Sequence, residues 1–302
     1  MYRHLNRTLG KLHLLMSYIK AGQDANGQEI KLHYTDQGQG APVVLIHGWP
    51  QSHEAWTYQL GELPKHGLRV VAYTRRGFGN SSKPFEGYDY DTLADDLKAV
   101  LDTLDLQNVT LVGFSMGGGE VARYMSRHGG ARVAKVVFVS AVTPYLLKTD
   151  NNPDGVDESV FDDIQKNIAK DRFDFLQTFG KQFYGEGPLS NPVSKGVLDW
   201  SFGMASLGSH QATVACGHAF AETDFRRDLE GISVPALVIH GEDDKTVPIK
   251  NSGDRMNQHL KHATYITYDG APHGLFITEK DKLNRDLIDF ATSGTVRNGE
   301  NS

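Results

Sequence analysis

Five runs in this chain are almost continuously apolar: PVVLIHG (42 to 48), LRVVAYT (68 to 74), NVTLVGF (108 to 114), VAKVVFVS (133 to 140) and VPALVIHG (234 to 241). A strand loses the usual in-out alternation when both of its faces are covered, which is the situation of a parallel sheet flanked by helices. The intervening segments fit that reading. DTLADDLKAVLDTLD (91 to 105) sets Leu93, Leu97, Val100, Leu101 and Leu104 on one helical face, and SMGGGEVARYMSRH supplies another helix. Upstream, SYIKAG and EIKLHYTD alternate apolar with polar residues across the turn DANG and predict an antiparallel pair. Downstream, ATYITYD predicts a last strand and KDKLNRDLIDFATSG a closing helix. The sum is an α/β protein with a mostly parallel, eight-stranded sheet.

Between Ser140 and Val234 the strand-helix rhythm breaks, and FDDIQKNIAKDRFDFLQTF and SKGVLDWSFGMA read as helices. A segment this long exceeds a simple crossover, so residues 143–219 are expected to form a helical cap over the carboxyl ends of the strands. The core is then 16–142 and 220–292. Residues 1–15 read as an N-terminal extension, in which Leu5, Leu9 and Leu12 fall at helical spacing among Arg3, Arg7 and Lys11, and 293–302 as a flexible tail.

With 302 residues and 39% hydrophobic content, one large domain with an insertion is expected. A net charge of −6 argues against a nucleic-acid surface. The single cysteine, Cys216, permits no internal disulfide and suggests a reducing, cytoplasmic setting. No apolar run approaches the roughly 20 residues of a membrane span.

The stretch GFSMGGGE (113 to 120) places one serine among four glycines at a strand-to-helix junction. Glycine costs roughly 1 kcal/mol against alanine inside a helix, so helix propensity does not select Gly117, Gly118 and Gly119. One reading is a tight turn needing positive φ and close packing; the other is Gly-X-Ser-X-Gly, where a sharp turn exposes the Ser115 hydroxyl. A serine nucleophile needs a base and an orienting acid. Of thirteen histidines, His273 in GAPHG follows the final strand and should reach the edge where the serine emerges. VPALVIHGEDDKTVP offers the acid from Glu242, Asp243 and Asp244, in the chain order Ser, Asp, His of this turn type. The oxyanion of an attacked carbonyl needs N–H donors. Met116, just after the serine, supplies one, and Trp49 after VVLIHG the second. Pro50 restricts the backbone of Trp49; a bare tight turn is the alternative reading of HGWP. Trp49, Phe114, Phe175, Phe183 and Trp200 are candidates for an apolar substrate pocket. There is no HExxH, no paired cysteine and no dinucleotide fingerprint, so no metal or organic cofactor is expected.

HGWP, RRGFGNSSKP, GFSMGGGEVARY, HGEDDKTVP and GAPHGL together resemble the α/β-hydrolase fold, and within it the cofactor-free haloperoxidase, perhydrolase and arylesterase branch, over essentially residues 16 to 292. The resemblance implies Ser115 as nucleophile, His273 as base, Asp244 rather than Asp243 as acid, and the Trp49 and Met116 amides as oxyanion donors. It implies hydrolysis of small esters through an acyl-enzyme, and a side reaction in which hydrogen peroxide replaces water to give a peracid. A Trp49 carbonyl fixed by Pro50 would hydrogen-bond that peroxide. A lactonase or γ-lactamase is the alternative on the same triad, and a slow-turnover ligand receptor a further one. Ser115 stands against the dehalogenases and epoxide hydrolases of the same fold, which use a carboxylate nucleophile. Thr74 departs from the family's usual aspartate before RRGFG, removing an acidic brace from the neighbouring loops. Homo-oligomer formation is left open.

Overall fold

The computed structural model describes residues 17–296. The extension expected at 1–15 and the end of the expected tail, 297–302, lie outside the described residues. Eight strands form one sheet: β1 Ser17–Gln23, β2 Glu29–Gln37, β3 Ala41–Ile46, β4 Leu68–Tyr73, β5 Val109–Phe114, β6 Val133–Val139, β7 Ala236–Gly241 and β8 Thr264–Tyr268. Their order is β1-β2-β4-β3-β5-β6-β7-β8. The pairs β1/β2 and β2/β4 are antiparallel and every other pair is parallel.

The apolar runs have the predicted cause. Along β3, Val44 and Ile46 join the core on one face of the sheet while Val43 and Leu45 join the core on the other, and all four are sealed from water. Among the described residues ten helices accompany the sheet: α1 Thr57–Glu62, α2 Tyr90–Thr103, α3 Met116–Arg127, α4 Glu158–Phe183, α5 Lys195–Ser206, α6 His210–Glu222, α7 Arg226–Glu230, α8 Gly253–His259, α9 Leu275–Thr278 and α10 Lys280–Ser293.

The chain leaves β3 for β4 on one side and returns to β5 on the other, so the sheet reverses winding direction beside β3. Ligands of such sheets bind in the crevice opened by this reversal. Register fixes which loops share it. Ile46 pairs with Gly113, Phe114 with Val139, Val139 with Ile239 and Gly241 with Tyr268, so the loops after β3, β5, β7 and β8 leave one edge together.

The segment between β6 and β7 holds α4, α5, α6 and the short α7. Two details differ from the sequence reading. The stretch read as one helix breaks at Asp171 (φ −158°, ψ 96°), whose carboxylate accepts hydrogen bonds from the N–H groups of Phe173 and Asp174 at 3.0 and 3.1 Å. Asp171 thus caps a second helix within α4. Helix α6 also runs to Glu222, past the expected cap boundary at 219, and carries Phe220 with it. At the other end, Ser293 closes α10 and Gly294 takes the left-handed conformation (φ 77°) that ends the helix.

Candidate active site

The glycines around Ser115 answer to space. A Cβ on Gly113 would sit 2.4 Å from the Gly117 carbonyl oxygen, and one on Gly117 2.5 Å from the Ile46 carbonyl oxygen. Helix α3 can therefore press its first turn directly onto β3 and β5. The left-handed residue of the turn is Ser115 itself (φ 52°, ψ −118°), while none of Gly113, Gly117, Gly118 and Gly119 has positive φ. A non-glycine residue held there costs on the order of 1–3 kcal/mol and aims its side chain away from the helix it precedes.

Ser115 Oγ lies 3.0 Å from His273 Nε2, and His273 Nδ1 lies 2.6 Å from Asp244 Oδ2. All three side chains are buried. Of the three acidic residues after β7, Glu242 and Asp243 are exposed and Asp244 alone turns inward. The second oxygen of Asp244 accepts the N–H groups of Thr246 at 2.9 Å and Val247 at 2.8 Å. His240 Nε2, which the sequence reading did not single out, lies 3.3 Å from Asp244 Oδ2. Burial alone would raise the Asp244 carboxyl, but the charge of His273 and hydrogen bonds from His240 and His273 outweigh it and hold the group well below the usual carboxylate range. The carboxylate therefore stays ionised opposite Nδ1 and fixes the ring with Nε2 toward the serine.

Trp49 lies in the loop after β3 and Met116 opens α3, both beside Ser115. Among the described residues neither main-chain N–H donates to a carbonyl in the turns and loops. The Trp49–Pro50 bond is cis. Trp49 Nε1 donates to the Thr213 carbonyl at 2.9 Å, tying this loop to α6.

The β3 loop is braced from beneath by groups that sequence reasoning missed. Arg75 Nη2 donates to the His47 carbonyl at 2.8 Å, and the Arg75 N–H donates to His47 Nε2 at 2.9 Å. His47 Nδ1 in turn contacts the Gly48 carbonyl at 2.7 Å. Burial first, and the Arg75 charge second, push the His47 imidazole well below its ordinary value, so it is neutral and serves as a bridge. Arg75 closes on Glu120 of α3 in an ion pair with both side chains shut off from water, and Tyr73 donates its hydroxyl to Glu120 at 2.6 Å. Thr74, where an acidic brace was expected to be missing, supplies a neutral one. Its Oγ1 accepts the His53 N–H at 3.1 Å and lies 2.6 Å from His53 Nδ1, and its carbonyl accepts from Ser81 at 2.6 Å.

A cavity of about 320 Å³ opens above Ser115. Trp49 and Phe175 line it, together with Ile164, Phe179 and Phe220 from the inserted helices and Val142 and Val247 from the core. Three of the aromatic candidates lie elsewhere. Phe114 is buried below the site, its ring 4.9 Å from that of His273, and Phe183 packs against both. They support the imidazole without lining the cavity. Trp200 is a correction: α5 turns it toward a separate groove beside His53, Thr57 and Leu60, because the cavity wall is built by α4 and α6.

A hydroxyl, an imidazole and a carboxylate in one hydrogen-bonded line, at the carboxyl edge of a mostly parallel eight-stranded sheet, define a serine hydrolase of the α/β type. The comparisons agree. Residues 41–280 match the model of the alpha/beta hydrolase fold, and the chain belongs to that family. It is 42% identical to a non-heme chloroperoxidase of Kitasatospora aureofaciens over 86% of this chain and 96% of the relative. It is 41% identical to a bifunctional esterase/perhydrolase of Acinetobacter calcoaceticus over 87% and 97%. Among solved structures, a bromoperoxidase from Bacillus anthracis superposes with a TM-score of 0.88 at 44% identity, over 92% of this chain and 99% of that one.

Proposed function

We propose that this chain hydrolyses small carboxylic esters through an acyl-enzyme on Ser115, and that hydrogen peroxide competes with water for the acyl group. The observation that carries the reading is the Ser115–His273–Asp244 line opening into an apolar cavity of about 320 Å³. Ser115 Oγ attacks the ester carbonyl carbon while His273 Nε2 takes its proton. The carbonyl electron pair moves onto oxygen, facing the Trp49 and Met116 amides. Collapse expels the alcohol, which leaves with the proton from Nε2. Water then repeats the sequence to release the acid, and peroxide in its place releases a peracid. The esterase/perhydrolase and chloroperoxidase relatives support the second branch, and a lactone opens by the same first step. Trp49, Phe175, Phe179 and Phe220 favour an apolar acyl group. A cytoplasmic setting fits the free, buried Cys216.

The test is turnover of p-nitrophenyl acetate with and without hydrogen peroxide, in wild type and Ser115→Ala. Sustained turnover lost by about 10³-fold or more in the variant, with peracid formed only when peroxide is present, is the expected result. Comparable rates in both proteins, or a single burst without recovery, overturn the proposal.

A further inference from the structure

Outside the Ser115 cavity, beside a separate groove, the structure gathers two imidazoles and a carboxylate with no part in the proposed reaction. His33 comes from β2; His53 and Glu54 begin the short helical turn 53–56 that follows HGWPQS. Their nearest ligand atoms all lie within 4.8 Å of one another. Glu54 Oε2 is 3.5 Å from His53 Nδ1, and Glu54 Oε1 is 3.9 Å from His33 Nδ1. Three donors bound to one ion at about 2.0–2.1 Å in tetrahedral geometry stand roughly 3.4 Å apart. The observed spacing is thus that of a ligand set too open by about 0.1 Å at its closest pair and by at most about 1.4 Å at its widest.

Two further features point the same way. His33 Nδ1 is buried and has no hydrogen-bond partner. Buried polar nitrogens are almost always satisfied, and one aimed at a carboxylate and a second imidazole calls for an occupant. On His53, Nε2 lies 3.0 Å from Thr35 Oγ1. Donation from Nε2 to that hydroxyl leaves the lone pair on Nδ1, which accepts from the Thr74 hydroxyl and lies 3.5 Å from Glu54 Oε2. A ligating imidazole is ordinarily held by its second nitrogen in this manner. Thr74 Oγ1, now 2.6 Å from Nδ1, keeps the His53 N–H as a partner when the ring is taken by an ion. Glu54 is 41% exposed and borders the open groove beside Thr57 and Trp200, so an ion has a path in.

We propose that His33, His53 and Glu54 bind one divalent transition-metal ion of the Zn²⁺ and Co²⁺ class, with water completing the coordination. Two imidazoles and one carboxylate suit such ions better than Mg²⁺ or Ca²⁺, which prefer oxygen donors throughout. The bound ion ties β2 to the end of the loop that carries Trp49. It takes no part in the ester chemistry.

The test uses the full, untagged chain stripped with chelator and titrated with Co²⁺. The proposal predicts the visible ligand-field bands of four- or five-coordinate Co²⁺ saturating at one ion per chain. Zn²⁺ should displace them, and the melting temperature should rise with either ion. His33→Ala and Glu54→Gln should each weaken binding by about tenfold or more while the apo proteins melt near wild type. His53 is left intact because its contacts with Thr74 and Thr35 contribute to the fold. Absence of the bands, or bands that survive both substitutions, overturns the proposal. Bands lost instead in His273→Ala place the ion at the Ser115 site and overturn it equally.

Discussion

Removing the carboxylate of Glu120 should damage the enzyme twice, through its stability and through the loop that carries Trp49. The Arg75 guanidinium is 1% exposed, and Glu120 is its only ion-pair partner among the described residues. Burial raises the Glu120 carboxyl above its ordinary value even though the Arg75 charge and the Tyr73 and Arg75 hydrogen bonds pull it down. The pair is thus expensive to keep buried and more expensive to break. Glu120→Ala leaves the cation uncompensated and should cost about 3–5 kcal/mol in urea unfolding. That is a large share of a typical stability of about 5–15 kcal/mol. Replacing the whole network with apolar groups, Tyr73→Phe, Arg75→Met and Glu120→Leu together, removes the buried charges and should recover stability to within about 2 kcal/mol of wild type. It also deletes the donor that holds the His47 carbonyl at 2.8 Å. The Trp49 amide then loses its fixed position, and if it is the oxyanion donor proposed above, misplacing it costs up to about 10²–10³ in rate. The assay is kcat/KM for p-nitrophenyl acetate beside urea melts of the single and triple variants. A triple variant with wild-type kcat/KM refutes the positioning role, and a loss below about 1 kcal/mol in Glu120→Ala refutes the energetics.

Three further outcomes can be checked. Gly117→Ala forces its Cβ to within 2.5 Å of the Ile46 carbonyl and should lower kcat/KM by more than about tenfold, with roughly 1–3 kcal/mol of stability lost. Gly61→Ala, with nothing within 4 Å in helix α1, should leave activity intact and raise stability by up to about 1 kcal/mol; equal effects at the two sites would refute the space argument. Because the folded value of Asp244 is depressed, its contribution to stability is complete above about pH 4 and is lost as pH falls below that toward the folded value. The advantage of wild type over Asp244→Asn in urea melts should therefore narrow below pH 4, and a gap that widens there contradicts the assignment. Burial pushes the Cys216 thiol up to about 12, with Glu120 adding to the rise and Arg75 opposing it. At pH 8 the native protein should not react with a thiol reagent, and unfolded protein should release one equivalent; prompt native reaction refutes this burial.

What the sequence made legible follows from how each constraint marks it. A strand buried on both faces must be apolar throughout, so β3 to β7 announced themselves without reference to any partner. The Ser115 turn was legible because close approach to β3 and β5 admits no Cβ at Gly113 or Gly117, and glycine leaves a compositional trace. By residue type alone the acid was ambiguous, since Glu242, Asp243 and Asp244 are adjacent and alike in charge; the resemblance pointed to Asp244, and it is Asp244 alone that the loop geometry turns inward. The cavity wall was harder to read. Helices α4 and α6 meet core on one side and the cavity on another, so their apolar residues fall on more than one face, and Trp200 of α5 could not be told from Phe179 or Phe220 by spacing. The networks beneath the site left least trace. Glu120 looks like an ordinary polar position near the start of a helix, and Arg75 pairs with it across 45 residues of chain. His33, His53 and Glu54 form no spacing motif, since their contact depends on β2 lying antiparallel to β4 and on Thr74, at the end of β4, reaching His53. Polar groups that act through a distant partner are written in topology. A single sequence reveals them only once the sheet order is known, and here that order accounts both for the brace under the Trp49 loop and for the ligand set beside it.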